Sequence, residues 1–77
     1  MDLTEDKEIQ ILAAADPELA RLLEEHRKLD RQVGALDKMH VRTPAEDLER
    51  KRLSKLKLAN RDRIVQLVAK HRSAAPR

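Results

Sequence analysis

The sequence predicts an all-α fold, an antiparallel helical hairpin of coiled-coil character with a short helix ahead of it, and three observations carry that prediction. Leucine-type residues through the middle of the chain recur in alternating steps of three and four, which is the spacing of a heptad seam. The composition is that of long helices, with 40% charged residues, no aromatic residue and a single glycine. Two aspartate- or threonine-proline pairs, Asp16-Pro17 and Thr43-Pro44, divide the chain where helices start well.

The first element is a short helix over residues 4–15, with Thr4 as its cap and Ile9, Leu12 and Ala13 along one side. It closes at Asp16, because a residue before proline avoids the α region. Asp16 then restarts the chain as an N-cap, Pro17 takes the first-turn position that proline tolerates, and Glu18 sits favourably at the positive end of the helix dipole. This second helix is expected over residues 17–40. A third opens at "TPAE", where Thr43 caps and Glu46 completes a capping box, and is expected over residues 44–72. Residues 73–77 read as a frayed tail of one small domain spanning 1–77.

Along the second helix the seam runs Leu19, Leu22, His26, Leu29, Val33, Leu36 and His40. The third helix carries a broader stripe of Leu53, Leu56, Asn60, Ile64, Leu67 and His71. The linker between the two helices is too short for a parallel return, so the arms, each on the order of 35–45 Å long, must run antiparallel. Opposed residues then have numbers summing to about 85 on this geometry. Leu29 faces Leu56, Val33 faces Leu53, Leu22 faces Ile64, Leu19 faces Leu67, and His26 faces Asn60. The two polar interruptions of the seam thus fall in one layer. An unpartnered buried polar group costs roughly 1–3 kcal/mol, so a ring and a carboxamide that satisfy each other fix the register with little net penalty. On the flank of the seam, Asp30 is placed to pair with Lys57, with Arg61 as the rival partner.

"EEHRKLDRQV", followed after a short linker by "LSKLKLANRDRI", resembles the YdcH-like family, a domain of unknown function in small bacterial proteins. The resemblance covers residues 16–68 and rests on His26, Leu29, Asp30 and Val33, then on Leu53, Lys57, Leu58, Asp62 and Ile64, with Arg61 in place of the family's lysine. It implies a helical hairpin and a bacterial cytoplasmic setting, and it carries no established activity or catalytic residue. Asn60 stands where the family usually has leucine, so its pairing with His26 belongs to this chain rather than to the family pattern.

A 77-residue chain buries only about 60% of its unfolded surface and is marginal alone. Leu23, Leu48, Leu58 and Val65 lie off the seam, and Ile9, Ile11 and Leu12 also need cover. Either the first helix folds across the hairpin or hairpins pair into a bundle. A homo-oligomer, with a dimer favoured, is the expectation, and Leu23, Leu58 and Val65 are its candidate oligomer or partner face.

Charge bears on the function classes. Residues 1–25 carry eight acidic and two basic side chains, net −6, and residues 26–77 carry six acidic and fifteen basic, net +9, for the overall +3. In an antiparallel hairpin the acidic start lies beside the basic end, so much of the field cancels internally. Arg42, Arg50, Lys51, Arg52 and Lys55, with Lys38 nearby, remain as a candidate phosphate patch near the turn. No aromatic residue is present for base stacking and no nucleic-acid motif is recognisable, so RNA or DNA binding is the alternative rather than the leading reading.

There is no cysteine, which removes thiolate chemistry and fits a reducing compartment. The chain contains no Gly-rich phosphate loop and no HExxH zinc motif, and His26, His40 and His71 are too scattered for a ready ligand set. His40 and His71 read as residues that complement helix C-termini. No apolar run approaches the roughly 20 residues that span a bilayer, and the acidic start lacks the features of a signal peptide. The resulting expectation is a non-enzymatic cytoplasmic protein without cofactors that self-associates and acts as an interaction or regulatory module toward an unidentified protein partner.

Overall fold

A computed structural model describes residues 6–74, with α1 at Lys7–Ala15, α2 at Pro17–Asp37 and α3 at Pro44–Ala74, and the described residues contain no strand. α2 and α3 form an antiparallel hairpin, and α1 folds back over its open end to touch both. The result is elongated, about 53 × 20 × 17 Å.

Each start is fixed by a side chain that takes up orphan backbone amides. Asp6 Oδ1 accepts from the amides of Glu8 and Ile9 at 2.9 and 3.2 Å. Asp16 Oδ1 does the same for Glu18 and Leu19 at 3.0 and 3.3 Å. At α3 the Glu46 amide donates to Thr43 Oγ1 at 3.1 Å while the Thr43 amide donates back to Glu46 Oε1 at 2.9 Å, a complete capping box. The cap of α1 is therefore Asp6 and not Thr4, which lies outside the described residues.

Two helix ends differ from expectation. α2 stops at Asp37, three residues before His40, and the Leu36 carbonyl in its last turn is taken by Arg42 Nη1 at 3.1 Å. Reversing the chain and still delivering Thr43 as a cap requires residues 38–43, so His40 leaves the seam and is exposed. α3 continues to Ala74, which turns the first part of the expected tail into helix, and residues 75–77 lie outside the described residues.

The core has two apolar parts separated by one polar layer. At the open end Ile9, Leu19, Leu22, Leu23, Ile64 and Val68 are buried together, with Leu12, Ala13 and Leu67 packed against them. Toward the turn, Leu29, Val33 and Leu53 form a second group with Leu36 at its edge. Leu19 and Ile64 are completely inaccessible.

Two stripe positions depart from expectation. Leu56 is 44% exposed rather than opposite Leu29, and Val68 is buried although it was not placed in the stripe. α1 explains the second, because Ile9 shares a cluster with Val68 and so widens the buried face of α3 at that end. Near Leu56 no third helix is present to do the same. Lys57 instead comes to the flank of α2 and pairs with Asp30.

Candidate functional site: the polar layer, the basic turn and the outer face of α3

His26 and Asn60, both 6% exposed, meet between the two leucine-rich parts of the core. His26 Nδ1 donates to Asn60 Oδ1 at 3.1 Å, and Asn60 Nδ2 donates to the Leu22 carbonyl at 3.1 Å. That carbonyl fixes which way the amide points, since only the nitrogen end can face an acceptor. With Oδ1 left toward the ring, the Nδ1–H form of His26 is required. No buried side-chain polar atom among the described residues lacks a partner. The numbers of this pair sum to 86, so the layer also records the register of the hairpin.

Asp30 pairs with Lys57 across the hairpin, while Arg61, its proposed rival, points to solvent. Both members of the Asp30–Lys57 pair are substantially exposed, so its contribution lies in the range of roughly 0–1 kcal/mol.

At the open end the acidic start of the chain meets the basic end of α3. His71 Nε2 lies 2.6 Å from Asp16 Oδ2, Arg72 grips both Glu8 carboxylate oxygens at 2.9 Å each, and Arg63 reaches Glu18 at 3.3 Å. The His71 contact, helped by the two capped amides, holds the Asp16 carboxyl below the usual carboxylate range. Glu8 beside Arg72 raises the guanidinium further still. His71, in the last turn of α3, thus also ties the end of that helix to the cap of α2. Sequence reasoning missed this clasp, although the rule that pairs Asp30 with Lys57 also pairs Asp16 with His71.

The basic turn is largely engaged. Arg42 Nε donates to Asp47 Oδ1 at 2.7 Å and lowers that carboxyl's pKa, besides holding the Leu36 carbonyl. Arg50 pairs with Asp37 across the hairpin, and Arg52 makes two bonds to Glu49, whose pKa is lowered by them. Of the five proposed phosphate ligands only Lys51 and Lys55 form no ion pair with another described residue. The patch is therefore not five free cations: carboxylates on α3 three or five residues away, or across the turn, claim its three arginines.

The proposed oligomer face also changes. Leu23 is 4% exposed and belongs to the core, because α1 covers the side of α2 on which it lies. Leu58 and Val65 remain on the surface at 59% and 48% exposure. Beside Val65, between α1 and α3, runs an open groove of about 370 Å³ lined by Ile9, Ile64, Val65, Val68 and Ala69 together with the charged Asp6 and Arg72.

Among the described residues no three His, Asp or Glu side chains converge as a metal site, and no helix is long and apolar enough to cross a membrane. The described molecule is thus a helical hairpin whose polar layer and clasp are both built from its own side chains. A family described as a protein of unknown function (DUF465), the family that the YdcH-like resemblance indicates, matches residues 19–68. The chain belongs to this family. No curated protein and no solved structure matches it.

Proposed function

We propose that this protein is a non-enzymatic interaction module of the cytoplasm that works by associating with itself, and through that assembly with other proteins. The observation that carries the reading is the apolar surface left on α3 after the hairpin and α1 have closed their core: Leu58 and Val65 stand clear of α2, and a groove lined mainly by apolar side chains, with Asp6 and Arg72 among them, opens beside Val65. Helix faces of this kind are commonly covered by another helix. The histidines favour a structural role over a catalytic one, since His26 is committed to Asn60 and His71 to Asp16.

Size-exclusion chromatography coupled to light scattering over a range of concentrations tests the reading, which expects a dimer that dissociates on dilution. A monomer at every concentration, together with duplex binding that falls steeply with salt, would favour the phosphate-binding alternative through Lys51 and Lys55.

A further inference from the structure

The two sides of Asp16 are held in different ways. Asp16 is the single residue between Ala15 and Pro17, and its own carboxylate fastens it to the hairpin: one oxygen caps Glu18 and Leu19, and the other meets His71 at 2.6 Å. Everything after it is secured by both apolar groups of the core, by the His26–Asn60 layer and by the Glu18–Arg63 pair, which joins α2 to α3 directly. Before it, α1 buries Ile9 and half-buries Leu12 and Ala13, and the other six of its nine residues are exposed. Its ion pair with the end of α3, Glu8 to Arg72, is more than half exposed on both sides and holds weakly. Among the described residues no backbone hydrogen bond joins α1 to α3.

This lightly held helix covers a good deal. Leu23 and Val68, at 4% and 6% exposure, share a cluster with Ile9, and Val68 lies one turn from the exposed Val65. Without α1 the open end would present Leu23 and Val68 to solvent beside Val65, while Leu19, Leu22 and Leu67 kept the seam between α2 and α3 closed. A nine-residue helix is too short to keep its structure alone in water, so for α1 leaving the hairpin and unwinding are one event.

We propose that α1 is a lid, which lifts and unwinds as a unit about Asp16 while the α2–α3 hairpin stays folded, uncovering Leu23 and Val68. The lid belongs to a single chain and does not depend on self-association.

Amide hydrogen exchange of the full chain, followed residue by residue by NMR and corrected for intrinsic rates, tests it. The amides of residues 10–15, bonded within α1, are expected to exchange at least about tenfold faster than those of the hairpin around Leu22, His26 and Ile64. Because the chain contains no cysteine, a single introduced thiol gives a second readout. Val68→Cys should react with a thiol reagent about tenfold faster than Leu53→Cys, which lies in the turn-side group away from α1, each variant first shown by circular dichroism to keep wild-type helicity. Adding Ile9→Ala should speed both α1 exchange and Val68→Cys labelling by at least about tenfold and leave Leu53→Cys labelling unchanged. Amides of α1 and of the hairpin that exchange at one common rate, or an Ile9→Ala change that speeds both thiols equally, would mean that the chain opens only as a whole and would overturn the lid. Should a cysteine variant fail to fold, the exchange of the unaltered chain decides alone.

Discussion

Replacing His26 by leucine tests the polar layer where it is most exposed to failure. The substitution adds apolar bulk to a position that is 6% exposed, which by hydrophobicity alone should stabilise the hairpin. The structure predicts the reverse. His26 is the donor to Asn60 Oδ1, and its removal strands that oxygen between two leucine-rich groups, while Nδ2 stays tied to the Leu22 carbonyl and holds the amide in place. A buried acceptor without a donor costs about 1–3 kcal/mol, of which the added leucine recovers a part. For a domain of 60–100 residues each kcal/mol moves Tm by roughly 4–8 °C, so a fall of about 5–15 °C is expected in a thermal melt followed by circular dichroism. The double variant His26→Leu with Asn60→Leu removes both polar groups and should melt at or above the wild type, as fully apolar replacements of buried polar pairs often do. The coupling between the two changes should then be on the order of 1–3 kcal/mol. Additive effects, with the double variant less stable than either single one, would refute the reasoning.

Three further outcomes follow from the packing and charge. Leu19→Ala empties a completely inaccessible site and should cost about 2–5 kcal/mol, enough to leave a domain of this size substantially unfolded by circular dichroism at room temperature. Lys57→Ala removes an exposed pair with Asp30 and should change a urea-derived stability by no more than about 1 kcal/mol. Asp16→Asn keeps a competent cap but loses the charge facing His71, so its effect isolates the clasp. The folded-state pKa of Asp16 is depressed, chiefly by His71. Its contribution is therefore present above the unfolded value of about 4 and is lost as pH falls through the folded one. Melts should place Asp16→Asn below wild type at neutral pH, with the gap closing in strong acid. A gap that widens on acidification would contradict this.

Much of the architecture was legible because it depends on local rules. Asp16 and Thr43 each precede a proline and cap the next helix, and the seam from Leu19 to Leu36 needs only periodicity. The layer of His26 and Asn60 followed from one antiparallel rule applied to two polar interruptions. What escaped depends on three-dimensional context. The end of α2 at Asp37 is set by the reach of the turn and by Arg42 on the Leu36 carbonyl, neither of which has a periodic signature. The burial of Leu23 and Val68 requires α1 to lie over the open end, and a nine-residue helix whose Ile9, Ile11, Leu12 and three alanines are spread around its circumference gives no indication of where it docks. Composition showed how many cations lie near the turn but not that Asp37, Asp47 and Glu49 engage Arg50, Arg42 and Arg52. The clasp of His71 on Asp16 lay within reach of the pairing rule, yet a histidine near a helix C-terminus already had a local explanation.

The register of the hairpin is marked by one polar contact between the arms, and the tautomer of the His26 ring reports it directly. Long-range nitrogen–proton correlation spectra of the neutral imidazole should show the proton on Nδ1, with the Asn60 side-chain amide protons protected from exchange. A ring carrying its proton on Nε2 alone, beside an Asn60 amide exchanging as fast as one in water, would contradict both the polar layer and the register built on it.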